Sequence, residues 1–255
     1  MNVIILGEQP FTTAVVDSCL AAGYSCATWE VDDVLGNPVA RVDVDQAARA
    51  DVVVEMYNAS AAAKRTLLER AAELTPGEAT WLSLALATSA TQAAAWLSTP
   101  QRLVGFGLIL PLGDRPVIEI AAALQTAQSH LAAAETFWQG AAFETVRVGD
   151  GPGLVRARIL CCLINEAASA LMEGVASAKD IDLAMKLGTN YPYGPLEWAD
   201  QLGLDIVLAV MTGLFEEWGD DRYRPTPLLR RMVLAGQLGA KAGRGFYVYD
   251  SNEPE

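Results

Sequence analysis

The chain has 255 residues, enough for one large domain or two modest ones. Hydrophobic residues make up 52% and charged residues 19%, which excludes a disordered chain and allows a sizeable core. Eighteen Lys and Arg against 31 Asp and Glu give a net charge of −13, which argues against nucleic acid or an anionic membrane as partner, because phosphate binding needs a basic face.

The first half alternates between strand and helix signals. Val3-Ile4-Ile5-Leu6 is a short apolar run ending at Gly7 and reads as a buried strand. A helix is expected over 12–22, stopped by Gly23, and a second strand over 25–29, followed by Glu30. Further strands are expected over 50–55, 80–84, 102–106, 117–120 and 143–148, with helices over 60–74 and 126–139. Such alternation requires crossover connections and hence a mostly parallel sheet.

Gly149-Asp150-Gly151-Pro152-Gly153 is a dense cluster of chain breakers, and the domain boundary is placed there: 1–150 for an α/β domain and 151–255 for an all-helical one. A long apolar helix is expected over 154–176. Ser177 caps the next helix, with Asp180 three residues on as a capping-box variant. Tyr191-Pro192-Tyr193-Gly194-Pro195 reads as a rigid turn, and helices follow over 204–218 and 227–235. The aromatic set Trp198, Trp218, Tyr223, Tyr247 and Tyr249 reads as core and interface, and Cys161-Cys162 as core thiols. Four cysteines without metal-ligand spacing make neither a disulfide framework nor a metal site. The N-terminal MNVIILGEQP lacks the basic segment of a signal peptide, the apolar run 204–215 is too short for a membrane span, and a cytoplasmic protein is expected.

In the second half, Ile181-Asp182-Leu183-Ala184-Met185-Lys186-Leu187-Gly188 runs into Asn190-Tyr191-Pro192-Tyr193-Gly194-Pro195-Leu196-Glu197 and then Gly203-Leu204-Asp205. Tyr223-Arg224-Pro225 later precedes Lys241-Ala242-Gly243-Arg244-Gly245-Phe246-Tyr247. This ordered string resembles the 3-hydroxyacyl-CoA dehydrogenase family, in particular its 3-hydroxybutyryl-CoA dehydrogenase branch. The resemblance implies a Rossmann-like domain followed by a helical dimerisation domain, with NAD as cofactor and an acyl-CoA substrate. Only 31–49 separates Glu30 from the Ala50–Glu55 strand, too little for the family's coenzyme A-contacting arm. The N-terminal half therefore resembles a reduced Rossmann domain, like the degenerate second half of tandem dehydrogenases of the phenylacetate-degradation type.

A dinucleotide fold needs glycines after the first strand for the tight turn, for close approach to the pyrophosphate and for helix packing. Gly7-Glu8-Gln9-Pro10-Phe11-Thr12 keeps only the first. Gln9 puts a side chain where the pyrophosphate would lie, Glu8 adds negative charge, and Pro10 removes an N–H, all of which oppose tight NAD binding. Glu30 matches the family's ribose-binding acid and Lys64 its cofactor-contacting lysine, although each also reads as an ordinary solvated charge. By the same resemblance Asn190, Pro192 and Gly194 fall in a partial acyl-CoA groove.

The family oxidises a hydroxyl by passing its proton to a His that a Glu orients, while hydride goes to nicotinamide; a Ser and an Asn hold the reacting oxygen. Residue by residue, the His slot is Gly107, the Ser slot Ala87 and the Asn slot Ala157; the Glu slot keeps Glu119. A slip at the Ser slot would offer Ser83, Thr88 or Ser89. The single histidine, His130, lies on the 126–139 helix and reads as an ordinary surface or half-buried side chain. Gln9, Phe11 and Leu108 are candidates to refill the emptied crevice. These residues point to a catalytically impaired family member that dimerises, with itself or with an active dehydrogenase, through 153–250. Two alternatives stay open: an active NAD-dependent enzyme with an altered site, and a sensor of acyl-CoA or nucleotide.

Overall fold

The computed structural model describes residues 1–30, 44–58, 60–75, 77–112 and 116–249. It contains two compact units, Met1–Leu108 with Leu112–Val155, and Ile109–Pro111 with Arg156–Glu255.

The first unit is a seven-stranded sheet. Its strands are β1 (Asn2–Gly7), β2 (Ser25–Glu30), β3 (Val52–Met56), β4 (Thr80–Leu84), β5 (Leu103–Gly107), β6 (Val117–Ala122) and β7 (Glu144–Val148), in the order β2-β1-β3-β4-β5-β6-β7. Helices α1 (Phe11–Ala21), α2 (Val44–Ala47), α3 (Ala61–Leu74), α4 (Ala90–Ala94) and α5 (Gln128–Gly140) connect them. Every neighbouring pair is parallel except β5 and β6. That exception has a simple cause. The stretch between β5 and β6 has no helix among its described residues to carry the chain back across the sheet, so β6 must return antiparallel.

The central strands are buried on both faces, as their unbroken apolar runs require: β1, β3, β4 and β5 are buried along almost their whole length. α5 packs its aromatic face here, with Trp138 against Phe106 and Phe143 at ring-centroid distances of 4.9 and 5.3 Å. The parallel strands β1, β3, β4 and β5 end along one edge, where open α/β sheets bind their ligands.

The second unit is helical: α6 (Arg156–Met172), α7 (Ala178–Thr189), α8 (Pro195–Leu202), α9 (Leu204–Trp218) and α10 (Pro227–Leu234). α6 is shorter than the apolar pattern over 154–176 suggests. Leu154 has φ +47°, outside the helical region, and Gly174 ends the helix in the left-handed conformation that glycine tolerates. Ser177 caps α7 as expected, accepting from the Asp180 N–H at 3.2 Å. The turn before residue 195 leads directly into α8, an element the sequence reading did not separate from the turn.

No single helix among the described residues is long and apolar enough to cross a membrane. α8 and α9 qualify by length and composition only as a pair, and they bend by 100°.

A Cβ at Gly105 would stand 2.6 Å from the Cβ of Ala90, so strand β5 and helix α4 meet only because residue 105 lacks a side chain. Gly105→Ala should lower stability in urea unfolding by about 1–3 kcal/mol. Gly77→Ala, with open space around it, should change stability by no more than about 0.5 kcal/mol. Equal effects of the two substitutions would contradict this packing.

Candidate functional site

The antiparallel register places Gly107, the last residue of β5, directly opposite Glu119 of β6. Glu119 is 4% exposed. A Cβ at position 107 would sit 2.9 Å from Glu119 Oε2 and 3.0 Å from Leu154 Cδ1. A side chain at 107 would thus point at the buried carboxylate, as a base oriented by that carboxylate must. Leu154 closes on the same spot, held by Gly153 N–H donating to the Ala85 carbonyl at 3.0 Å. Leu108 is fully buried and Phe11 nearly so, while Gln9 stays exposed; sequence reasoning had not singled out Leu154 among the filling residues.

Ala87 is half-buried in the turn after β4. Of its possible substitutes, Ser83 donates to Glu55 at 2.6 Å, and Ser89 caps α4 by accepting from the Gln92 N–H. Asp150 accepts from the Ala90 and Thr91 N–H groups at 2.7 and 2.8 Å, completing that cap. Ala157 belongs to the second unit, buried in the first turn of α6.

His130 is half-buried, and its Nδ1 lies 2.8 Å from the hydroxyl of Thr80, the first residue of β4. Trp81 pairs with Leu103, so Thr80 is level with position 102, five residues before Gly107. At about 3.3 Å per residue, the hydrogen-bonding contact of the ring is displaced about 16 Å along the strand direction from the Glu119 position, at the opposite end of the strands and two strands away. Burial pushes its pKa down, with Arg102 acting the same way and Glu78 opposing.

At the cofactor turn, a Cβ on Gly7 would meet the Cβ, carbon and carbonyl oxygen of Met56 at 2.8–2.9 Å. The glycine that the sequence keeps is therefore required for packing β1 on β3. The start of α1 has little to offer an anion. Pro10 has no N–H, and the Thr12 N–H already donates to the Glu8 carbonyl at 3.3 Å. The Gln9 side chain folds over this turn and accepts from the Thr13 hydroxyl at 2.6 Å. Glu30 ends β2, paired with Gly7, but its side chain lies outside the described residues.

Lys64 corrects the sequence reading. It is not a solvated side chain on a surface helix but is 1% exposed, paired with the wholly buried Glu55 at 2.8 Å. Its other donors reach the carbonyls of Tyr57 at 3.0 Å and Leu84 at 2.8 Å, so three acceptors match the three N–H groups of the ammonium. Burial pulls its pKa down and the Glu55 carboxylate opposes that. Glu55 also accepts from the Tyr57 N–H at 2.7 Å and from Ser83. This network ties the carboxyl ends of β3 and β4 together from within. Nearby in sequence, buried Asn58 leaves its side-chain oxygen without a partner among the described residues.

In the helical unit, two buried aspartates explain much of the motif. Asp182 of α7 accepts from the Leu196 and Glu197 N–H groups, both at 2.8 Å, and from the Tyr247 hydroxyl at 2.6 Å. It caps α8 in place of Gly194, which has no side chain to do so, and a Cβ at Gly194 would overlap Asp182 at 2.2–2.5 Å. Asp200 likewise accepts from the N–H groups of Phe246 and Tyr247 at 2.9 Å, with Gly245 against its carboxylate. Asn190 ends α7 in the left-handed conformation and, like Pro192, is exposed. Asn165 bonds within the unit, accepting from Thr226 N–H at 2.8 Å and donating to the Arg224 carbonyl at 3.2 Å.

No group of three or more His, Cys, Asp and Glu among the described residues could hold a metal ion.

Residues 153–249 match the 3-hydroxyacyl-CoA dehydrogenase C-terminal domain, and residues 19–151 match the NAD-binding domain of the same family. The chain belongs to the 3-hydroxyacyl-CoA dehydrogenase family. Its NAD-binding match begins at residue 19, beyond the Gly7 turn and most of α1. A probable 3-hydroxybutyryl-CoA dehydrogenase from Bacillus subtilis is 38% identical over 225 residues, covering 87% of this chain and 77% of that one. The 3-hydroxyadipyl-CoA dehydrogenase of Escherichia coli is 43% identical over 118 residues, 46% of this chain and 25% of that one. Among solved structures, (S)-3-hydroxybutyryl-CoA dehydrogenase from Ralstonia eutropha superposes with a TM-score of 0.81 at 32% identity, covering 98% and 99% of the two chains.

Replacing Lys64 by Met should cost about 3–5 kcal/mol, because it leaves the Glu55 charge buried without its cation. Glu55→Gln in the same chain should recover a large part of that loss in urea unfolding. Additive losses from the two substitutions would contradict a coupled buried pair.

Proposed function

We propose that this protein is a catalytically impaired member of the 3-hydroxyacyl-CoA dehydrogenase family that acts through assembly, as a homodimer or as partner to an active dehydrogenase. The observation that carries this reading is Gly107 facing Glu119: the carboxylate that would orient a base is retained, and the position of the base has no side chain. General acid–base catalysis contributes roughly 10²–10⁴-fold, and the chain's one imidazole contacts the far end of β4. Loss of the hydroxyl and amide that hold the reacting oxygen, at Ala87 and Ala157, removes further stabilisation. NAD is the family's cofactor; at the Gly7 turn the lost glycines and engaged N–H groups support weak binding of it in this chain.

The assembly role is supported by large apolar side chains left at the surface of the helical unit, among them Ile159 at 60%, Leu187 at 79% and Leu234 at 87% exposure. A partial acyl-CoA groove near Asn190, Pro192 and Gly194 is compatible with this role. So is a cytoplasmic location, which four free cysteines suit.

One feature favours the alternative of an active enzyme. Glu119 is retained and deeply buried, and a carboxylate so placed can itself act as a base. On that alternative, Glu119→Gln abolishes turnover.

Light scattering on the eluting size-exclusion peak should give twice the chain mass, or co-elution when the chain is mixed with an active 3-hydroxybutyryl-CoA dehydrogenase. A strict monomer that captures no dehydrogenase would overturn the assembly role.

A further inference from the structure

We infer that Cys19 and Cys26 form a modification site, at which a hydroperoxide closes a disulfide between helix α1 and the edge strand β2. The sheet order places both side chains on the same face. β1 leads through α1 outward to β2, whereas β3 leads through α3 in the other direction to β4. Right-handed crossovers that run in opposite directions put their helices on opposite faces of the sheet. Trp29 of β2 joins the buried cluster that holds Leu67 and Leu68 of α3. Side chains alternate along a strand, so Cys26, three residues before Trp29, points to the α1 face. There Cys19 sits on the last turn of α1, fully buried. The chain between them is a tight return: the Tyr24 N–H donates to the Cys19 carbonyl at 3.0 Å, and Gly23 takes φ +76°. The two thiols lie close enough for the Cys19 S–H to donate to a Cys26 thiolate.

The two cysteines take different parts in the oxidation. Cys26 is half-buried on an edge strand, within reach of a small oxidant, while Cys19 has no exposure. Burial pushes both thiols up, Cys19 to about 12, but the hydrogen bond from Cys19 acts on Cys26 in the opposite direction. Cys26 therefore supplies the attacking thiolate. Its sulfur takes one oxygen from hydrogen peroxide as the O–O bond breaks, giving a sulfenic acid and, with the thiol's proton, one water. The Cys19 sulfur then displaces the sulfenic hydroxyl, which leaves as a second water with the Cys19 proton. Two thiols and one peroxide thus give one disulfide and two waters. Cys161 and Cys162 make no such pair. As neighbours on α6 their side chains diverge by about 100° around the helix axis, with Cys161 turned into the core.

The test is exposure of the folded, full-length chain to millimolar hydrogen peroxide, followed by blocking of free thiols and mass mapping. The first basic residue is Arg41, so trypsin releases both cysteines in one peptide, 1–41. That peptide should lose two hydrogens and regain them with dithiothreitol, while Cys161 and Cys162 form no link to each other. Cys26→Ser should abolish the loss and Cys162→Ser should leave it unchanged, both with unchanged circular dichroism. Closure should run several-fold faster at pH 8.5 than at pH 7.0, because the thiolate fraction of Cys26 is still rising there. The closed form should melt roughly 3–8 °C higher than the reduced one. Both thiols of peptide 1–41 still free after peroxide, or Cys26 halted at a sulfenic or sulfinic acid with Cys19 unlinked, would overturn the inference.

Discussion

The pairing of β5 with β6 is the constraint on which the functional reading depends. Because the short connection turns β6 antiparallel, position 107 and position 119 face each other at the end of the sheet. A dehydrogenase of this family needs a proton acceptor at the first and a carboxylate at the second. On the reading proposed above, the backbone frame for such a pair and its carboxylate are kept, and position 107, a glycine, offers no acceptor. Leu154 closes on the vacated side-chain position. A side chain at 107 would therefore need both Leu154 and Glu119 to give way before it could fit.

A similar pattern holds elsewhere on the carboxyl edge of the sheet. Polar and charged groups are present, but they are engaged by the protein itself. Lys64 is consumed by Glu55 and two strand-end carbonyls, the Thr12 N–H by Glu8, and the N–H groups at the start of α4 by Asp150. A buried pair such as Lys64 with Glu55 is costly to separate. The helical unit follows the same logic. Asp182 and Asp200 fix Gly194 and Gly245 by close approach, so the most recognisable stretch of the sequence is largely an account of how α7, α8 and the C-terminal aromatic segment are fastened together.

Much of this was legible in the sequence. Strand and helix alternation gave the parallel sheet, since the apolar runs of β1 and β3–β5 could be buried only between two layers. Gly107 and the Gly7 turn are visible as residue identities in the sequence, but that a side chain at 107 would point at the Glu119 carboxylate follows only from the antiparallel register of β5 and β6. Lys64 was misread, because a lysine on an amphipathic helix normally reaches solvent, and only the tertiary position of Glu55 tells otherwise. Leu154 went unnoticed because its role depends on a left-handed backbone conformation after Gly153, which periodicity does not encode. The separate helix α8 was hidden by the Pro–Gly turn that precedes it, and its cap comes from Asp182, 12 residues before Gly194.

The central claim concerns proton transfer: a hydroxyl at this crevice has no imidazole to receive its proton. The most direct measurement is NADH formation by the purified, folded chain supplied with (S)-3-hydroxybutyryl-CoA and saturating NAD. The account predicts a rate at least about 10²–10⁴-fold below that of an active family member assayed in parallel. A comparable rate, abolished by Glu119→Gln, would contradict it.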